Sequence, residues 1–280
     1  MNRQYYLTLL LCIGTFLFSR AQPTRNLRNE NADTTDNRQL QLTFDYLSNK
    51  TYLGQQNIIT EKYLSPAISY YAPSGFFTAF ALTKIIDPEN RFDEADLSLG
   101  WSFKVLKDAE ASLSYSRFSY SKQSLQLGSS LQNNFEVAIK RDGVITPALF
   151  FDMFFGKGKP DFGVRLDVYH DFEMDNLFTN DKDELLISPT VSIIAATLNF
   201  YTLYLRDSSL ARTRQNIGVN VDSNFQLASI ELSLPVEYDL GRFMIKPEIR
   251  HTIPLQEVRN SDNKAATYFN LSLGFFLMDE

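Results

Sequence analysis

The chain has little from which to build a reactive or metal-binding centre. Its 280 residues include one cysteine, one tryptophan and two histidines. That stock excludes a His/Cys transition-metal site and any intramolecular disulfide framework. Positive charge is short as well: 27 Lys and Arg stand against 33 Asp and Glu, a formal net charge of -6. No basic surface is left over to neutralise a phosphate backbone, so nucleic acid is not an expected partner. The mean hydropathy of -0.21 excludes a bundle of transmembrane helices. It leaves room for a transmembrane barrel, whose strands turn only every second residue to lipid. What the chain does have is aromatic residues, 23 Phe and 14 Tyr.

The first 21 residues read as a cleaved signal peptide. Arg3 supplies the positive start, Leu7 to Phe18 the apolar run, and Ser19-Arg20-Ala21 the small residues that a signal peptidase reads. The run has 12 residues, too few for the roughly 20 that a membrane-spanning helix needs. Cys12 follows Leu9-Leu10-Leu11 and lacks the small residue expected before a lipidated cysteine. The expected mature start is Gln22. Cleavage there removes Arg3, Arg20 and Cys12, leaving 25 basic and 33 acidic side chains and no cysteine. An exported chain of that kind must draw its stability from burial, ligand or membrane. Residues 22–38 are polar and are expected to form a flexible tail.

From residue 39 to 280 the dominant pattern has period two. Ala95, Leu97, Leu99, Trp101, Phe103 and Val105 alternate with Asp96, Ser98, Gly100, Ser102 and Lys104, over the length of a tilted membrane-spanning strand. Equally clear alternation runs through Ala109–Ser116, Phe162–Phe172, Ile230–Tyr238, Phe243–Ile253 and Phe269–Leu277. Weaker segments lie at Leu40–Leu47, Tyr63–Tyr71, Phe76–Ile86, Leu131–Lys140, Val144–Phe155 and Leu185–Ala195, for twelve strands in all. An even count brings both termini to one side, as bacterial barrels require.

Connections add an independent signal. Ala72-Pro73-Ser74-Gly75, Lys107-Asp108, Arg141-Asp142-Gly143 and Asp239-Leu240-Gly241-Arg242 carry the residues of tight turns. The alternate connections, Ser48–Lys62, Ser121–Ser130, Thr197–Asn224 and Pro254–Asn263, are longer and polar, as outer loops are. Gly156–Pro160 is short and Glu173–Glu184 long where the alternation asks for the reverse. A helical reading of uncharged Leu185–Leu205 fails on Pro189, Asn199 and its β-branched content. Aromatic residues near strand ends, among them Tyr70, Tyr71, Phe76, Phe77, Phe150, Phe151, Phe154, Phe155, Tyr201, Tyr204, Phe275 and Phe276, fit interfacial girdles. The fold expected is therefore an all-β, antiparallel transmembrane barrel. A soluble β-sandwich or carrier would show the same alternation with its apolar face turned inward.

The Ala21-Gln22 junction, Phe44-Asp45-Tyr46-Leu47-Ser48-Asn49-Lys50-Thr51-Tyr52-Leu53-Gly54, Leu64-Ser65-Pro66-Ala67-Ile68, Asn199-Phe200-Tyr201 and Leu232-Ser233-Leu234-Pro235-Val236 resemble uncharacterised outer-membrane β-barrel proteins of Bacteroidota. The resemblance spans nearly all of the chain after the leader. It implies a barrel in the outer membrane, with lipids and the barrel-assembly machinery as partners, and implies no activity. The chain departs from the common pattern by running past Phe276 as Leu277-Met278-Asp279-Glu280 rather than ending on an aromatic residue.

Candidate chemistry is sparse. His170 and His251 fall on the apolar faces of their strands, away from Asp171 and other partners, so no catalytic residue and no cofactor are expected. Gly156-Lys157-Gly158-Lys159-Pro160 lacks the spacing of a phosphate loop. The scattered acidic residues show no metal-ligand spacing. The opposite face is more informative. Asp96, Lys104, Glu110, Arg165, Asp167, Glu231, Glu237, Lys246, Glu248 and Arg250 are expected to line a lumen, joined by Glu136, Lys140, Asp152 and Asp171. They form either a wet path for small polar solutes or an ion-pair network that fills the barrel, since twelve strands fall between filled and open sizes. The 197–224 loop, with Arg206, Arg212 and Arg214, either folds inward or faces out. A non-enzymatic barrel, channel or structural, leads. A soluble exported carrier of an apolar ligand and a lipid-modifying barrel enzyme are the alternatives. Intact mass of the exported chain tests the leader: the expected N-terminus is Gln22, and a chain still beginning at Met1 contradicts export.

Overall fold

The alternating segments are strands, and they close on themselves. The computed structural model describes residues 38–56, 61–86, 92–121, 124, 131–156, 158–178, 183–200, 224–255 and 265–279. The expected leader, the tail up to residue 37, and Tyr201, Tyr204, Arg206, Arg212 and Arg214 lie outside these residues.

The first half of the chain contributes β1 (Gln39–Leu47), β2 (Thr51–Tyr52), β3 (Gln55–Gln56), β4 (Tyr63–Tyr71), β5 (Phe76–Ile85), β6 (Phe92–Leu106), β7 (Ala109–Tyr120) and β8 (Leu131–Arg141). The second half contributes β9 (Thr146–Gly156), β10 (Asp161–Tyr169), β11 (Phe172–Asp175), β12 (Asp183–Ile187), β13 (Thr190–Ala196), β14 (Gln226–Leu240), β15 (Phe243–Pro254) and β16 (Ala266–Asp279). Each wall strand pairs antiparallel with its neighbours, and β1 closes on β16 in a register running from Gln39↔Asp279 to Leu47↔Asn270. The result is a closed barrel of 12 strands.

Two of these strands are broken. β11 continues β10 beyond His170-Asp171, and β12 leads into β13 across Ser188-Pro189. The breaks are neighbours, and the Ser188 hydroxyl donates to Asp171 across them. The Ser188 N–H bonds the Pro235 carbonyl at 3.1 Å. On the far side of β14 the ladder with β15 is interrupted between Pro235↔Glu248 and Tyr238↔Ile245, at Pro247, with the register unchanged. Proline has no N–H to give a ladder, so these gaps fall where Pro189, Pro235 and Pro247 fall. Both strands extend further past their breaks than alternation alone suggests. That leaves only residues 176–182 to connect them, which brings the long 173–184 connection back within the barrel pattern.

The start of β1 and the end of β16 lie at one rim, the terminal end, together with the turns at 72–75, 107–108, 142–145 and 241–242 and the ends of β11 and β12. At the Lys107-Asp108 turn, Arg141 donates to the Asp108 carboxylate at 2.9 Å and holds it below the usual carboxylate range. The opposite rim, the loop end, carries the remaining connections.

Which way the apolar face points decides between a membrane barrel and a soluble one. Leu97, Leu99, Trp101, Phe103 and Val105 on β6 are exposed on the outside, as are Phe162, Leu166 and Val168 on β10. Asp96, Ser102, Arg165 and Asp167, from the same strands, are buried on the inside. A soluble core would show the reverse, so the arrangement is that of a transmembrane barrel. Among the described residues no helix is long and apolar enough to cross a membrane.

The aromatic girdle needs correction. Phe151 is exposed on the outer wall, but Phe77, Phe150, Phe154 and Phe276 are buried inside. Successive residues of a strand point to opposite faces, so adjacent aromatic pairs such as Phe150-Phe151 must split between lipid and lumen. Gly100 shows how tightly the interior fills: a Cβ there would lie 2.2 Å from Cζ of Phe77.

Leu99 lies near the middle of β6 on the lipid side. Leu99→Arg is expected to destabilise the folded barrel by about 2–4 kcal/mol, and Leu99→Ile by less than about 1.5 kcal/mol. Urea titration in lipid vesicles, read by the heat-dependent gel mobility of the closed barrel, measures both.

Candidate functional site

The lumen is built by the polar half of the alternation. Asp96 of β6, Glu110 of β7, Arg165 and Asp167 of β10, Glu231 and Glu237 of β14, and Lys246, Glu248 and Arg250 of β15 are all buried. Glu136, Lys140 and Asp152 join them. Lys104 is the exception. It faces Glu110 in the β6–β7 register, yet it stands beside the 107–108 turn and is exposed at the rim. Asp171 sits in the break between β10 and β11 and is only half-buried.

These side chains meet in ion pairs. Arg250, 1 % exposed, reaches Glu248 at 2.9 Å and Glu231 at 4.0 Å. Thr252 donates to Glu231 at 3.0 Å. Arg165 pairs with Asp167 at 3.1 Å, and its guanidinium lies 4.1 Å from the centre of the Phe150 ring. Towards the terminal end Lys246 meets Glu237 at 3.2 Å and Lys140 meets Glu110 at 3.4 Å. In the same half of the barrel Phe77, Ala138, Ala148, Phe150 and Tyr169 form an apolar cluster on the β5, β8, β9 and β10 wall. The charges do not balance. Among the described residues fourteen Asp and Glu are buried against five Lys and Arg.

The loop end is entered by a feature that the sequence reading placed outside. The connection after β1, expected as an outer loop, turns into the bore instead. Within it β2 and β3 form a small hairpin whose turn residues, Leu53 and Gly54, both have positive φ (47° and 74°). That is the geometry of a tight two-residue hairpin turn. Tyr52 packs edge-on against Phe154 of β9, centroids 5.1 Å apart, and against Phe200 at 4.2 Å. Leu53 lies against Gly163 of β10, where a Cβ would come within 3.1 Å of its Cδ2. Gly54 touches β14 so closely that a Cβ would sit 1.7 Å from Oγ of Ser229. Thr51 Oγ1 lies 3.2 Å from the Tyr268 hydroxyl of β16. On the other side of the bore Lys50 forms a 2.9 Å ion pair with Glu94 of β6, and its Nζ lies 4.6 Å from the centre of the Tyr63 ring of β4. A segment this short therefore touches strands all around the ring.

The 197–224 loop begins by helping. Asp161 accepts hydrogen bonds from the Thr197 hydroxyl at 2.7 Å and from the N–H groups of Asn199 and Phe200 at 2.7 and 2.8 Å. This cap turns Leu198 and Phe200 inward, where they join Tyr52, Leu53, Phe118, Leu131 and Phe154 in one buried cluster. Sequence reasoning missed the hairpin. The available signal was an apolar Tyr52-Leu53 pair beside a glycine in an otherwise polar loop.

Neither histidine enters the lumen chemistry. His170 Nδ1 meets the Val144 carbonyl, and His251 Nδ1 lies 2.8 Å from the Thr267 hydroxyl. At the terminal end, the β11–β12 hairpin brings Glu173, Asp175 and Glu184 within 4.8 Å of one another, which their sequence spacing did not announce. Partly exposed acidic groups of this kind are common without an ion.

No protein-family model matches the chain, and no curated relative does. Among solved structures it is similar to the NanC porin (10% identity, TM-score 0.49, covering 85% of this chain and 100% of that one). It is also similar to LpxR from Salmonella typhimurium (11% identity, TM-score 0.49, 85% and 100%). A third is an outer membrane channel from Pseudomonas putida F1 (10% identity, TM-score 0.45, 88% and 99%). The likeness is too slight to carry an activity over from any of them.

Removing Arg250 tests whether the lumen network holds the barrel together. Arg250→Met leaves Glu231 and Glu248 buried without their cation, and is expected to cost about 3–5 kcal/mol. Adding Glu248→Gln should recover part of the loss. Urea unfolding of the two variants in vesicles measures it.

Proposed function

We propose that this protein is a non-enzymatic barrel of the outer membrane that conducts small cations through a narrow lumen, and that the structure represents its closed state. The observation that carries the reading is the excess of buried carboxylates along a lumen with a short hairpin packed into its loop end. A barrel that needed only filling has no use for the fourteen acids buried against five bases among the described residues, because buried charge costs more than apolar packing. The terminal end, with its short turns, is then the periplasmic side. The phrases shared with outer-membrane barrels of Bacteroidota support the same placement, with outer-membrane lipids and the barrel-assembly machinery as partners. Non-enzymatic action is favoured by the positions of His170 and His251, each engaged away from the lumen acids.

The second reading is a structural barrel whose lumen network is permanent, and the apolar rings packed across both halves of the bore favour it. Planar-bilayer recording of refolded protein in a salt gradient separates the two. Brief openings with a cation-side reversal potential are expected, and selectivity should fade towards 1 M salt, where the Debye length is about 3 Å. Neutralising Glu237 and Glu248 together should reduce the preference. An anion preference contradicts the reading. Silence from folded protein, both unaltered and with Tyr52 and Leu53 replaced by glycine, leaves the structural barrel.

A further inference from the structure

We infer that the β2–β3 hairpin is a displaceable gate, latched shut by the Lys50–Glu94 ion pair. This rests on the channel reading and adds how the bore would open. Three observations carry it. The hairpin belongs to a connection and not to the wall, so it can leave without breaking any of the twelve-strand ladder. Its contacts are unequal. Tyr52 and Leu53 rest on rings and a glycine through non-directional packing, whereas Lys50 holds Glu94 at 2.9 Å with both side chains almost wholly buried.

The third observation is backbone strain at the turn. Leu53 has φ of 47°, a left-handed conformation that a bulky side chain adopts only when its surroundings impose it. The two-residue turn that joins β2 to β3 imposes it here. Once the hairpin leaves the bore, its two-pair ladder can open and Leu53 can relax. The closed state thus holds a stressed turn in place by the Lys50–Glu94 ion pair together with the Thr51–Tyr268 hydroxyl contact, with Phe200 packed on the same Tyr52 ring. Losing the ion pair takes the 2.9 Å counter-charge from whichever partner remains, and better solvation of that charge favours the open arrangement.

Charge reversal tests the latch. Lys50→Glu and Glu94→Lys are recorded singly and together in planar bilayers, each checked for folding by heat-dependent mobility. Each single change should raise the open fraction by more than about tenfold, and the swap Lys50→Glu/Glu94→Lys should bring it back towards the unaltered value. A second readout does not depend on conduction. With Cys12 removed in the leader, Leu53→Cys supplies the one thiol, and it is buried when the gate is shut. Its labelling by a membrane-impermeant maleimide should accelerate by a similar factor with Lys50→Glu or the milder Glu94→Gln. Unchanged openings and unchanged labelling in the single variants overturn the gate, even where cation-selective openings uphold the channel. Faster labelling in a barrel that stays silent upholds the hairpin's release and overturns the channel.

Discussion

In hydrocarbon nothing but the protein itself can satisfy a backbone N–H or C=O, and the structure follows from that. A sheet with an edge would leave a row of such groups in lipid, so the sheet must close. Closure of β1 on β16 fixes the circumference at twelve strands, and the pleat then sends every second side chain inward. The outside is apolar because lipid selects it. The inside is free to be polar, and in this chain it is strongly acidic.

That freedom has a cost, met in two ways. Cationic side chains are placed where they serve more than one acid, as Arg250 does between Glu231 and Glu248. Aromatic residues that the outer interface does not need are turned inward, so Phe150 gives Arg165 a π-face and Phe154 gives the Tyr52 hairpin a floor. Polar and aromatic layers thus share the bore. The unbalanced acids remain as a reservoir of negative potential behind the hairpin.

Much of the fold was legible because period two is a strong signal when lipid enforces it over ten residues at a time. All twelve wall strands fall where the alternation places them, and nine of the ten leading lumen candidates are buried inside. Lys104 differs because the alternation of β6 runs on to the end of the strand, past the point where the lumen gives way to solvent. The breaks at His170-Asp171 and Ser188-Pro189 were hidden because proline and a short polar pair leave the alternation of neighbouring residues intact. The hairpin was hidden for a different reason. Tyr52-Leu53 is too short to have a period, and its burial depends on Phe154, Gly163 and Ser229, which are more than a hundred residues away along the chain. The direction a loop folds is a tertiary fact, and local pattern does not encode it.

The broken strands give the wall a grain. In an ideal cylinder each seam between strands bears tension equally, and no place is favoured for tearing. Here the interruptions at 170–171 and 188–189 and the gap in the β14–β15 ladder at Pro247 lie side by side on four consecutive strands, in the half nearer the terminal rim. Tension around the circumference therefore concentrates along one line, bridged chiefly by side chains: Ser188 to Asp171 and Lys246 to Glu237. A barrel of this build, stretched by a thickening membrane or pulled by a partner, would part like a garment at its stitching and not like a sheet of even cloth.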